Sequence, residues 1–125
     1  MTGPKYVLGF DCSSKSVHMA RLEISSGKIV EMLSWKDDTR DIEIRFNKVI
    51  ASFEIWLKND LRCKTTNTYF PSEDYVAVIE NPVFINNVKA TVSITNVIAG
   101  VKWLLYKERI PYQAIDNRTW KKYVV

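Results

Sequence analysis

Apolar positions gather into two unusually continuous short runs, each ending on an acid. Tyr6, Val7, Leu8 and Phe10 lead to Asp11, and Tyr75, Val76, Ala77, Val78 and Ile79 lead to Glu80. Runs of this kind predict strands buried on both faces of a sheet. Ser16 to Glu23 alternates in polarity and predicts a second strand, hairpinned to the first across the small polar turn Cys12 to Lys15. Ser25-Ser26-Gly27 is a turn signal, and Lys28 to Trp35 reads as a third strand. Ile42, Phe46, Val49, Ile50, Phe53, Trp56, Leu57 and Leu61 recur three and four apart, which predicts a helix over about 42–61. Residues 62–72 carry no period and read as loop. Asn81-Pro82 blocks direct passage from strand to helix, so a loop runs to about Asn87. Val92, Ile94, Val97, Ile98, Val101, Leu104 and Leu105 then line a long helix over about 88–107, where Ala90, Ala99 and Gly100 leave room for a close neighbour. Pro111 to Asp116 reads as a short last strand, and Asn117 can cap a further helix.

Three strands, helix, strand, helix, strand, helix is an α/β order. It predicts a mixed sheet, three antiparallel strands followed by βαβ-linked parallel strands, flanked by helices. At 125 residues the chain is one domain. Its 46% apolar and 26% charged residues are those of an ordinary globular protein. No apolar stretch is read as approaching the about 20 residues of a membrane span. The N-terminus lacks the pattern of a signal peptide, so the expected location is cytoplasmic. Cys12 and Cys63 have no metal-ligand spacing and read as two reduced thiols.

Chemistry enters with the acids. In α/β sheets sites form at the carboxyl ends of strands. If the two acid-tipped strands are neighbours, Asp11 and Glu80 point into one crevice. Carboxylates that close repel, and a divalent cation between them relieves the repulsion. Alone, Asp11 could be a turn cap; Glu80, directly after Val-Ala-Val-Ile, is costly to bury unpaired. Together they favour a metal site. Gly9-Phe10-Asp11 with Ser13, Ser14 and Lys15 lacks the spacing of a phosphate loop. The single histidine, His18, supports no Ser-His-Asp triad and reads as structural or surface. Val83 and Phe84, just past Glu80, could tuck into the core or wedge into a substrate. The formal net charge of +4, from 18 basic and 14 acidic side chains, tilts weakly toward an anionic partner. Arg118, Lys121 and Lys122 around Trp120 interleave cations with an aromatic ring, which suits phosphate contact and base stacking.

These pieces, in this order, resemble the RuvC-type Holliday junction resolvases of the RNase H-like superfamily, particularly their short, phage-like members. Val7-Leu-Gly-Phe-Asp-Cys-Ser-Ser-Lys15 looks like the family's apolar-Gly-Ile-Asp-Pro-Gly-Ser-Arg opening. Tyr75 to Glu80 with Val83-Phe84 is similar to its strand, catalytic Glu and nearby aromatic. Ile110-Pro111 through Arg118-Thr-Trp-Lys-Lys122 is similar to its basic segment. The resemblance covers almost the whole chain. It implies a crossover junction endodeoxyribonuclease that resolves four-way DNA junctions in recombination and repair, by metal-dependent phosphodiester hydrolysis. Asp11 and Glu80 would bind Mg²⁺ or Mn²⁺, and Lys121 would be the active-site lysine beside the scissile phosphate. Phe84 would enter the opened junction, although Pro82 makes its loop a residue longer than the common pattern. Lys15, Lys89, Arg118 and Lys122 would contact the DNA backbone. Two symmetric nicks imply a homodimer, with the Gly100 helix a candidate for part of its interface, although core packing explains it equally well.

Cys12-Ser13 replaces the family's usual Pro-Gly, and His18 stands where glycine is common. In the family a final helix after the basic segment adds one or two aspartates, and this sequence ends at Val125 before it. The expectation is a domain over 1–125 truncated at its C-terminus, weakly active or inactive alone. Asp116 precedes the basic segment and does not replace the absent acids. The alternative is a non-catalytic branched-DNA-binding module of the same fold. An actin-like ATPase or sugar-kinase fragment is disfavoured, because no Gly-rich phosphate loops follow the opening hairpin.

Overall fold

The computed structural model describes residues 3–61, 74–81 and 88–116. Strands β1 (Tyr6–Cys12), β2 (Ser16–Glu23) and β3 (Lys28–Lys36) are followed by α1 (Ile42–Trp56). A π-helical turn (Leu57–Leu61) continues α1, and β4 (Tyr75–Asn81), α2 (Val88–Lys107) and β5 (Tyr112–Asp116) complete the order. The sheet order is β3-β2-β1-β4-β5. β1–β2 and β2–β3 are antiparallel, whereas β1–β4 and β4–β5 are parallel. The acid-tipped strands β1 and β4 are therefore neighbours, and the mixed sheet read from the sequence is present.

Local chemistry sets the element ends. At the β2–β3 turn, Gly27 adopts φ +70° and its N–H donates to Glu23 O at 2.9 Å, a conformation that costs glycine nothing. Asp41 caps α1 by accepting from Ile44 N at 3.0 Å. α2 ends with Arg109 at φ 60°, donating to Tyr106 O at 3.0 Å, while Ile110 N donates to Leu105 O at 2.9 Å. This pair of bonds is a Schellman cap with an arginine where glycine is usual. Ile110 is buried beneath it, and Pro111 turns the chain into β5.

Leu8, Phe10, Val17, Met19, Ala77 and Ile79 turn one face of the sheet toward Val49 and Phe53 of α1 and Val97, Val101 and Leu105 of α2. Trp35 extends this core, its ring 5.2 Å from Phe53 and 5.4 Å from Trp56. Burying five or more such side chains at about 1.5–3 kcal/mol each is the main force holding helices to sheet.

Two expectations change, and the core-packing reading of Gly100 holds. Among the described residues both helices cover the same sheet face, so β1 and β4 alternate in burial instead of being buried on both sides. Gly100 faces α1: a Cβ there would sit 2.8 Å from Ile50 Cδ1, so the small residue serves packing within the chain. Finally, α2 does have the length and mean hydropathy (1.2) of a membrane span. Its apolar stripe Val97, Ile98, Val101, Leu104 and Leu105 is nevertheless seated in the core, as in a helix of a globular domain.

Candidate metal centre on the open sheet face

Strand alternation puts Gly9 and Asp11 of β1 on the face away from the helices. In the register Asp11 pairs with His18, and His18 pairs with Ser34. On the other side Phe10 pairs with Ile79, so Glu80 follows beside Asp11, and Glu80 in turn pairs with Ile115. Ile115, Glu80, Asp11, His18 and Ser34 thus form one row across all five strands, with neighbouring strands about 4.8 Å apart. All five line a single cleft of about 410 Å³, together with Val78, Ala20, Met32 and Gly9. A Cβ at Gly9 would meet nothing nearer than Ala20 O at 3.8 Å. Glycine is not demanded by packing there; it keeps the cleft floor bare.

Asp11 is exposed and Glu80 is half-buried. Two carboxylates on adjacent parallel strands offer hard oxygen donors, which suit Mg²⁺ or Mn²⁺. Mg²⁺ commonly binds through one or two carboxylates and completes its shell with water and substrate phosphate. The donor set fits such an ion. Among the described residues, however, no group of three His, Cys, Asp or Glu is gathered to hold one.

Asp11 also acts on its neighbour. Burial, helped by the negative charge of Asp11, pushes the Cys12 thiol up to about 12. Cys12 is thereby held as a neutral thiol packed against the core.

The turn after Asp11 is tied at three carbonyls, those of Ser14, Lys15 and Ser16. Ser16 O accepts from Ser13 N at 2.9 Å and Lys15 O from Asp37 N at 3.0 Å. Ser14 O accepts from Arg45 Nε at 3.1 Å, and Arg45 Nη1 reaches Thr39 O at 3.4 Å. Arg45, only 8% exposed, is a cation drawn inward from α1 to hold the turn. Lys15 sits exposed in this turn at the acidic end of the sheet, and Lys89 is exposed on the first turn of α2. Phe84, Arg118, Lys121 and Lys122 lie outside the described residues. Asp116 pairs with Asn81 at the end of β5, one position past the row.

Sequence reasoning missed Arg45, a charged residue on the buried side of α1 in line with Val49 and Phe53, and the serines around His18. Their proximity depends on strand register, which no local pattern reports.

No family model matches the sequence, and a search of curated proteins found no relative. Solved structures do match. The chain is similar to Thermus thermophilus RuvC in complex with a Holliday junction substrate, at 11% identity and a TM-score of 0.71, over 94% of this chain and 68% of that one. It is also similar to a Thermus thermophilus RuvC structure at 13% identity and a TM-score of 0.63, over 89% of this chain and 63% of that one. This chain therefore spans about two-thirds of the length of those proteins. Its fold is the RNase H-like fold in its RuvC-type form.

Proposed function

We propose that the chain is the nuclease domain of a metal-dependent, structure-specific endonuclease that resolves four-way DNA junctions in the cytoplasm during recombination and repair. The observation that carries this reading is the placement of Asp11 and Glu80 side by side at the carboxyl ends of adjacent parallel strands, in one cleft. The similarity of the fold to a RuvC solved with a Holliday junction supports the substrate class.

In this reading Asp11 and Glu80 hold the divalent ions. Such ions lower the pKa of a bound water and neutralise charge on a phosphodiester. The chain's own residues orient the scissile phosphate against that pair. Bare Gly9 leaves room for the phosphate over the cleft floor. Lys121 supplies positive charge to the developing phosphorane. Lys15, Lys89, Arg118 and Lys122 contact the backbone without reading sequence, and Phe84 enters the opened junction centre. Paired nicks call for two copies. The outward face of α2 suits a second copy, because Val88, Val92, Trp103 and Tyr106 are exposed there, and the last two rings stack at 6.0 Å. With two carboxylates assigned as ligands, these 125 residues are expected to cleave weakly.

A second reading, a junction-binding module without catalysis, is favoured by the absence of a three-ligand group among the described residues. One experiment separates the two. Four-way-junction cleavage is measured with Mg²⁺ and with Mn²⁺ against a linear duplex, for this chain and its Asp11→Asn and Glu80→Gln variants. Metal-dependent cutting of the junction, weak and lost in Asp11→Asn, is the expected result. Shape-selective binding without cutting in every form establishes the binding module, and no preference for the junction sinks both readings.

A further inference from the structure

His18 is the only histidine of the chain and the Cα partner of Asp11. Both ring nitrogens are engaged, Nδ1 with Ser34 Oγ at 2.7 Å and Nε2 with Ser16 Oγ at 3.0 Å. Ser16 Oγ, buried, also bonds Ser13 Oγ at 2.7 Å. A continuous hydroxyl–imidazole–hydroxyl–hydroxyl chain therefore runs from β3 across β2 into the turn that follows Asp11. Each hydroxyl can donate and accept, so either ring tautomer satisfies every link.

An imidazole with both nitrogens committed to serines has no lone pair to offer an ion. As bonded here His18 is not gathered with Asp11 and Glu80 into a group of three ligands, and among the described residues there is no such group. It does something else to that pair. Side chains directly opposite on antiparallel strands have Cβ atoms about 4.5–5.5 Å apart, so the ring, held by its two serines, is the neighbour of Asp11 on the β2 side. On the other side stands Glu80, in the same cleft. We propose that His18 is a positioning residue: clamped between Ser34 and Ser16, it confines the Asp11 side chain to the rotamer that faces Glu80. The cation-binding consequence of this clamp rests on the proposed function; the clamp itself does not.

The test uses the 125-residue chain and starts without metal. Three-bond couplings report the χ1 populations of Asp11, through its carboxyl carbon, and of His18, through its ring. The native chain is expected to show a single rotamer at both residues. Asp11 averages over rotamers in His18→Ala and regains one rotamer in His18→Asn, which keeps an amide for the serines. Ser34→Ala, a milder change on an exposed position, moves both signals part of the way, and it decides the matter if His18→Ala does not fold. An unchanged Asp11 rotamer in the folded variants, or an Asp11 that already averages over rotamers in the native chain, overturns the proposal. Mn²⁺ is then titrated in. Positioning partners of metal ligands typically alter affinity by about 10-fold or more, so His18→Ala is expected to weaken Mn²⁺ binding about tenfold, with His18→Asn near native. Rotamer confinement by His18 in a chain that binds no Mn²⁺ leaves the positioning role standing and removes the metal-site reading instead.

Discussion

Replacing Gly100 by alanine sets two opposing effects against each other at a point where the geometry is known. Alanine is favoured over glycine inside a helix by about 0.8–1.0 kcal/mol. The added Cβ, however, would stand 2.8 Å from Ile50 Cδ1, 3.1 Å from Ile50 Cγ1 and 3.3 Å from Phe46 Cε2. Carbon atoms in good contact stay about 3.5–4.0 Å apart, so the Ile50 methyl must retreat by roughly 0.7 Å or more. Overpacking of this kind costs about 1–3 kcal/mol. The lower part of that range applies, because the nearest atom is the free end of a half-buried side chain. The net expectation for Gly100→Ala is a loss of about 0–1 kcal/mol, well short of the stabilisation that an exposed helical glycine would give. Ile50→Val removes the closest atom and by itself costs about 0.5–1.5 kcal/mol. In the Gly100→Ala background it also relieves the clash, so the double mutant should be more stable than the sum of the singles by about 1 kcal/mol. Urea denaturation of the four proteins gives all the terms. Stabilisation by the full helix-propensity value in Gly100→Ala, with no coupling to Ile50, would refute this packing of α2 on α1.

Three further outcomes follow from particular contacts. Cys12 in the native chain should react with iodoacetamide at pH 8.5 roughly a thousandfold more slowly than in urea, because its thiolate is suppressed from an ordinary 9.0 to about 12. The same shift stabilises the fold below pH 9, a contribution that fades as pH rises from 9 to about 12 while the unfolded thiol ionises first. Arg45→Met keeps the stem but strips the carbonyls of Ser14 and Thr39 of their charged donor; a loss of about 1.5–3 kcal/mol in urea melts is expected. Arg109→Gly relieves a left-handed residue at the end of α2, and a gain of about 0.5–1 kcal/mol in the same assay is expected, net of the greater freedom of glycine in the unfolded chain.

The elements were legible because each is written in local periodicity. Ser16–Glu23 and Val88–Lys107 match the ranges read from alternation and from three-and-four spacing. The helix over 42–61 is correct in extent but relaxes into a π turn after Trp56, which an apolar stripe alone cannot signal. Asp11 and Glu80 were found because an acid ending an apolar strand is a local anomaly. The ring of Ser13, Ser16, His18 and Ser34 was not found, since its members lie up to 21 positions apart and meet only through strand register. Arg45 went unread for a related reason: its spacing from Val49 and Phe53 puts it on the buried side of α1, but the carbonyl that receives it belongs to a distant turn.

The parallel pairing of β1 with β4 also has a consequence in time. Phe10 and Ile79 become neighbours only after 69 intervening steps of chain, whereas the β1–β2–β3 meander closes through turns of a few residues. Contacts between near neighbours in sequence form early and distant ones late. On the ribosome the meander can therefore assemble with Asp11 in place while Glu80 is still unmade. A nascent chain carries half an acidic pair until the crossover through α1 brings β4 beside β1, so the two carboxylates meet only once the parallel half of the sheet has begun to form.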